Sequence, residues 1–329
     1  MIITPQELHN WVSTGRSFIV ADIRPEEQRY HFPISGLETI IATAENLPAR
    51  KKDPLILICQ FGVLTEELIF EKNLENAYSL LGGVQSWEAF QIDKLDLSRW
   101  SRQTILPEIG MSGQRKLQDS KITIVGIGGL GCPAAQTLAA SGLGNLQLID
   151  GDVVELSNLH RQPLYNKNEI GHAKVSVAYN SLQNLNDNLT VIAKEIHLDE
   201  SNGQELLKDT DVIIDATDNI KTRQVIDRIS KILGIPMVYG GLYRFEGQVA
   251  VLNHNGGPGY EDIFTPDPAG GDTCGEAGVL GMLPAIIGNI QALEAVKIII
   301  DIKPSLSGKL LLYDGITHET NIINLGVKV

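Results

Sequence analysis

The sequence predicts an α/β protein: a doubly wound parallel sheet in the larger part of the chain, preceded by a smaller α/β unit. Three observations lead there. An apolar, β-branched run at residues 122–125 flows directly into closely spaced glycines and then an alanine-rich segment, which reads as strand, tight turn and helix. Short apolar runs ending at polar residues recur along the chain, separated by stretches of helical character. At 329 residues with 43% hydrophobic side chains, the chain is too long for one typical domain and has ample material for two cores.

The glycine turn is the most informative stretch. Gly126, Gly128 and Gly131 have the G-x-G-x-x-G spacing, with Gly129 between them, and missing β-carbons there let backbone N–H groups and a helix N-terminus face a phosphate. The expected ligand is a nucleotide and the expected fold is Rossmann-like. A second strand, Leu146 to Ile149, ends in Asp150, and Asp150 or Asp152 stands about twenty residues on, where a carboxylate meets ribose hydroxyls. Taken alone, this unit would also suit a dinucleotide-dependent oxidoreductase.

The first hundred residues read as a small α/β domain. Phe18 to Asp22 and Leu55 to Cys59 are strand-like, with helices expected at Pro5 to Ser13 and Thr65 to Lys72, the latter capped by Thr65. Cys59 sits at a strand end before a turn and a helix start, where backbone N–H groups would favour thiolate. A buried packing cysteine is the plainer alternative. The polar stretch from Asp93 to Ser98 reads as a linker, dividing residues 1–92 from residues 99–329.

Beyond Asp152 come Asn158, His160, Arg161 and Gln162, then Gly171, His172 and Lys174, and later the buried run Val212 to Asp215 followed by Asp218 and Asn219. Hydride transfer has no evident need for that set. Adenylyl transfer does, because Arg and Lys neutralise charge growing on a triphosphate and a carboxylate can hold a Mg²⁺ that bridges phosphates. His160 and His172 have no companion ligands spaced around them and read as structural or solvated.

Net charge of −13 argues against an extended nucleic-acid backbone as partner and gives no reason to expect an anionic membrane surface. Val279 to Ile300 is the most apolar late segment, but Pro284, Asn289, Gln291, Glu294 and Lys297 interrupt it, so a buried helix is expected rather than a membrane span. The start of the chain has no basic region followed by a long apolar run, and Cys59, Cys132 and Cys274 are too scattered for a disulfide framework; the expected compartment is the cytoplasm.

Residues 1–92 resemble a rhodanese-like domain, on Asp22-Ile23-Arg24 with Glu27, the Cys59 loop with Gly62, and Leu80 to Trp87. The resemblance implies a persulfide on Cys59. The loop departs from the usual C-x-x-G-x-R pattern, because Leu64 stands at the arginine position and removes a fixed cation for an anionic sulfur donor; a docking domain without sulfur chemistry stays open.

From Arg99 onward the ordered set closely resembles the ThiF/MoeB/HesA family, bacterial relatives of ubiquitin-activating enzymes. The resemblance implies ATP- and Mg²⁺-dependent adenylation of the C-terminal Gly-Gly carboxylate of a ubiquitin-like sulfur carrier, as in molybdopterin or thiamine biosynthesis. It implies that Gly126, Gly128, Gly129 and Gly131 shape the nucleotide loop and that Asp152 contacts the ribose. Asn158, Arg161, Gln162 and Lys174 would surround the phosphates, with Asp218 supporting the metal and Asn219 beside it. Arg102 matches an arginine that family members insert into the neighbouring subunit's site, so a homodimer is implied.

Two features depart from the family. Where many members carry paired C-x-x-C motifs, Gly259 to Asp262 and the last residues contain no cysteine, so no structural zinc is expected. The glycine- and proline-rich stretch from Gly256 to Gly271 reads as a long loop. Cys274 matches the position of a conjugating or sulfur-handling cysteine, with a loop-positioning role as the alternative, and Cys132 reads as a buried packing residue. The fused halves suggest sulfur delivery from Cys59, loaded by a sulfur donor protein, to the acyl-adenylate. A peptide C-terminus as substrate, or a scaffold that binds a ubiquitin-like protein without catalysis, are the remaining alternatives.

Overall fold

The computed structural model describes residues 1–48, 53–93, 97–264 and 278–326, in two compact units, Met1–Arg99 and Trp100–Val329. The glycine- and proline-rich stretch and the linker lie partly outside the described residues.

The first unit is built on a five-stranded sheet in the order β1-β5-β4-β2-β3, with β1 Ile2–Ile3, β2 Ile19–Asp22, β3 Ile40–Ile41, β4 Leu55–Ile58 and β5 Ala77–Leu80. Every neighbouring pair is parallel. The central strand Leu-Ile-Leu-Ile is buried on both faces, which is why it is a continuous apolar run rather than an alternating one. One face packs Ile56, Ile58 and Leu80 against Leu8, Val84 and Trp87; the other packs Leu55, Leu57 and Ala77 against Leu68 and Ile69. The first helix, Pro5–Ser13, is capped by Thr4, with Glu7 reaching back to complete the box. The helix after Cys59 begins at Val63, two residues earlier than the sequence suggested. Thr65 is buried inside it and does not cap it, because its hydroxyl turns inward to the Gly62 carbonyl and the Ser79 hydroxyl.

The second unit carries an eight-stranded sheet in the order β13-β12-β11-β10-β9-β6-β7-β8. Its parallel half comprises β6 Lys121–Val125, β7 Asn145–Ile149, β8 Thr190–Lys194, β9 Val212–Asp215 and β10 Met237–Tyr243. β11 Glu246–Leu252, β12 Lys309–Asp314 and β13 Thr320–Asn324 extend it antiparallel. Helices Gly131–Ala140, Lys174–Leu185 and Met282–Ile300 cover one face, with Ile122 and Ile124 of β6 buried beneath them. Helices Gly203–Leu207, Ile220–Leu233 and Tyr260–Ile263 belong to the opposite face, over Val125, Ile149 and Ile213. Each such fully buried aliphatic side chain contributes about 1.5–3 kcal/mol.

From β6 the chain runs outward to β7 and β8, then returns to β9 and β10 on the other side. The direction therefore reverses between β6 and β9, the place where open α/β sheets bind ligands beyond the carboxyl ends of their strands. The Met282–Ile300 helix is long and apolar enough to cross a membrane by length and composition. It packs on the sheet through Leu283, Ile287, Gln291 and Ala295 at four-residue spacing, leaving Met282, Ile286 and Leu293 exposed, so it is buried along one side rather than all round.

Candidate active site

A cavity of about 950 Å³ opens in the second unit at the carboxyl ends of β6, β9 and β10. Its floor begins at the glycine turn. Gly126 adopts φ +91°, its N–H donates to the Ile149 carbonyl at 2.8 Å, and a β-carbon there would stand 2.7 Å from the Ala216 carbonyl oxygen at the end of β9. Only glycine allows the two strand ends to approach so closely. The lining continues through Gly128 and Gly129 to Leu130, the residue before the Gly131–Ala140 helix, whose Cys132 and Ala134 N–H groups donate to the Gly128 and Leu130 carbonyls.

The acids after β7 divide the work between them. Asp150 is buried, and its carboxylate accepts from the Ile127 N–H at 2.7 Å and the Asp152 N–H at 2.8 Å. Burial raises its pKa, with Lys174 and those two amides pulling the other way. Asp150 thus ties the glycine turn to the loop after β7, which leaves Asp152 as the carboxylate facing the cavity. Asp152 is half-exposed and accepts from Lys174 Nζ at 2.8 Å, while His197 Nε2 lies 3.9 Å from its other oxygen. Lys174 reaches it because the chain pairs back on itself, with Val154 N–H on the His172 carbonyl and Lys174 N–H on the Asp152 carbonyl. A lysine so buried, beside the glycine turn, supplies a positive charge that water screens poorly.

Asn158, Arg161 and Gln162 come from the short turn Leu156–Asn158 and the residues after it. Asn158 is buried, and its side-chain oxygen accepts from the Glu155 N–H at 3.0 Å, so the turn is held by the residue expected to face phosphate. The Arg161 chain passes over Gly129, and its Nη1 donates to the Ser157 carbonyl at 2.8 Å. Gln162 is 2% exposed, and its amide oxygen has no hydrogen-bond partner among the described residues. An orphaned polar group in a cavity wall is costly unless a ligand or water completes it. His160 bonds the Ser157 carbonyl through Nδ1, and His172 is exposed away from the cavity lining.

Across the cavity, Asp218 follows β9. Its carboxylate is exposed and makes no hydrogen bond or ion pair among the described residues. Asn219 also lines the cavity, but its side-chain oxygen caps the Ile220–Leu233 helix through the Thr222 N–H at 2.8 Å. Behind Asp218 lies a pair the sequence reading did not single out, Asp215 with Arg223, joined at 2.7 Å. A signal existed: an arginine in the first turn of a helix opposes the dipole, and one four residues after an asparagine cap, close to two aspartates, calls for a buried acid. Tyr239 and Gln291 were also missed. Gln291, fully buried, donates to the Asp215 carbonyl at the end of β9 and to the Val238 carbonyl near the start of β10.

Arg102, Cys59 and Cys132 are not among the residues that line this cavity. Arg102 lies exposed in the short helix Ser101–Thr104 and does not line it. Cys274 lies outside the described residues. Cys59, in the first unit, is 3% exposed; its Sγ accepts from the Gly62 N–H at 3.1 Å and lies 3.6 Å from the Thr65 hydroxyl, while Phe61, Val63 and Leu64 around it are exposed. Cys132 is fully buried, and burial pushes its thiol up to about 12, as expected of a packing cysteine.

The cavity thus gathers the glycine turn, Lys174, Arg161, the buried Gln162 amide and the exposed Asp218 carboxylate. The ThiF family model matches residues 100–328. The sulfur carrier protein adenylyltransferase of Thermus thermophilus is 42% identical over 230 residues, covering 68% of this chain and 85% of that one. The adenylyltransferase and sulfurtransferase MOCS3 of Aedes aegypti is 41% identical over 240 residues, covering 72% of this chain but 54% of that one. The chain thus spans about half the length of the MOCS3 relatives it matches. Among solved structures, PaaA superposes with a TM-score of 0.61 at 29% identity over 70% of this chain and 73% of its own. Escherichia coli MccB does so with 0.64 at 20% identity over 72% of each chain, a likeness of fold. The chain belongs to the ThiF family.

Proposed function

We propose that the chain is an ATP- and Mg²⁺-dependent adenylyltransferase that activates the C-terminal Gly-Gly carboxylate of a ubiquitin-like sulfur-carrier protein. The observation that carries the reading is the meeting of Lys174, Arg161, Gln162 and Asp218 around the glycine turn in one cavity. The relatives support it by their names, adenylyltransferases in both cases.

The chemistry needs little acid–base help, because a carboxylate is already a nucleophile at neutral pH. It attacks the α-phosphorus of ATP, and pyrophosphate leaves. The protein's contribution is alignment and stabilisation of spreading negative charge. Lys174 and Arg161 supply cations at the glycine turn, the helix N-terminus receives phosphate oxygens, and Asp152 faces the ribose. The exposed Asp218 carboxylate, which makes no hydrogen bond or ion pair among the described residues, is the group that would hold Mg²⁺ together with the phosphates themselves. Held at Asp218, Mg²⁺ would neutralise charge on the phosphates. Arg102, exposed and away from this cavity, is assigned to the partner's site in a homodimer. Residues 1–92 are assigned to sulfur delivery through Cys59, whose thiol already receives the Gly62 N–H.

The test is ATP–pyrophosphate exchange with Gly-Gly-tailed carriers, using Asp218→Ala as the control. Carrier-dependent exchange lost in that variant supports the assignment; ATP binding with no exchange on any carrier would move it to a peptide C-terminus or a scaffold. In the same system, unchanged thiocarboxylate formation by Cys59→Ser would remove the sulfur-delivery step.

A further inference from the structure

The wall of the cavity between β9 and β10 is held by one buried cation for which the nucleotide chemistry has no assigned use. Arg223 is 9% exposed. Its Nε donates to Asp215 Oδ2 at 2.7 Å, and its Nη2 donates to the carbonyls of Thr217 at 2.7 Å and Gly240 at 3.1 Å. The guanidinium also lies over the rings of Tyr239 and Tyr260, at 4.7 and 5.5 Å from their centroids. From the other side, Asp215 Oδ1 accepts the Thr217 N–H at 3.0 Å and the Thr217 hydroxyl at 2.5 Å. The amide, hydroxyl and carbonyl of Thr217 are therefore all fixed by this one ion pair.

Asp218 is the next residue. Its carboxylate has no hydrogen bond or ion pair among the described residues, so the backbone at 217–219 sets where its side chain starts and which way it leaves the chain, with no partner to correct it. We propose that Arg223 is a positioning residue for metal–nucleotide binding: acting through Thr217, it sets the Asp218 carboxylate where a phosphate-bound Mg²⁺ requires it. The inference rests on the proposed function, in which Asp218 receives that metal.

Two features distinguish this role from plain stabilisation. A buried ion pair is a poor device for stability alone, since apolar residues of similar volume often do as well. What apolar residues cannot do is donate to two carbonyls at once, and a lysine ammonium, with its three donors on one atom, lacks the planar fork whose Nε and Nη2 serve Asp215, Thr217 and Gly240 together. Losing a hydrogen-bonding partner behind a metal ligand commonly weakens metal affinity by about 10- to 100-fold.

The experiment is calorimetric titration of the full chain with ATP, in Mg²⁺ and in EDTA, for the wild type, Asp218→Ala, Arg223→Lys and the double variant Asp215→Leu/Arg223→Met. The double variant removes the pair without stranding a charge, so it keeps the test alive if Arg223→Lys does not fold. The expected result is a tighter affinity in Mg²⁺ for the wild type, with that preference reduced about tenfold or more in the Arg223 variants, towards Asp218→Ala. Affinity in EDTA should change by less than about threefold, because the glycine turn, Lys174 and Arg161 are untouched. A folded Arg223 variant that keeps the wild-type preference while Asp218→Ala loses it would overturn the proposal. If Asp218→Ala itself keeps the preference, the metal assignment fails and the role of Arg223 fails with it.

Discussion

Replacing Gly126 by alanine should loosen the contact between the ends of β6 and β9, and the structure sets the size of the effect. Gly126 sits at φ +91°, and the added methyl would stand 2.7 Å from the Ala216 oxygen and 3.0 Å from its carbonyl carbon. The left-handed backbone costs an alanine about 1–2 kcal/mol. The overlap is with backbone at a buried strand end, not with a side chain that can swing away, and such overpacking adds about 1–3 kcal/mol. The total is about 2–5 kcal/mol, which for a unit of this size lowers the melting temperature by roughly 4–20 °C. Gly234→Ala is the internal standard: Gly234 has φ +67° with nothing within 4 Å of its added methyl, so it carries the backbone cost alone. Both variants are melted as full chains by circular dichroism, and ATP binding is measured below the transition. Gly126→Ala should melt well below Gly234→Ala and lose ATP affinity, whereas Gly234→Ala should bind normally. Equal melting temperatures would refute the close approach of the two strand ends.

Two further outcomes follow from groups outside the cavity. Burial holds the His254 pKa below its ordinary value, with Lys303 adding to the depression and Asp301 opposing it. The unfolded chain then takes up the proton first, so stability should decline as pH falls from about 6.5 towards the depressed folded-state value. His254→Gln should flatten that part of the curve in urea titrations at pH 7 and pH 5; an unchanged slope would count against it. The Cys132 thiol, pushed up to about 12 by burial, should escape alkylation by iodoacetamide at pH 8 in the native chain and react in urea, as read by peptide mass spectrometry; prompt native labelling would contradict its burial.

Local chemistry made much of this protein legible. The continuous apolar run of Leu55–Ile58 and that of Val212–Asp215, up to its terminal acid, announce themselves because a strand buried on both faces need not alternate. The glycine spacing marks a tight turn because at Gly126 and Gly131 only glycine tolerates the backbone proximity, and Pro5–Ser13 is written out by its Thr4–Glu7 cap. The doubly wound fold and the chain's family follow from signals of this kind.

What the tertiary structure alone decided is how the polar groups are shared. Asp150 and Asp152 are near-equivalent in sequence, but the hydrogen bonds from Ile127 and Asp152 commit the first to the glycine turn and leave the second facing Lys174. Thr65 has the composition of a helix cap, yet Ser79, fourteen residues away and on another strand, draws its hydroxyl into the core. Asn219 serves its own helix, and Arg223 becomes visible as a cavity residue only when β9 and β10 bring Asp215 and Gly240 to it. Periodicity and spacing record which residues can be buried or can bend. Which donor meets which acceptor depends on strands brought together from distant parts of the chain, and burial makes that pairing obligatory.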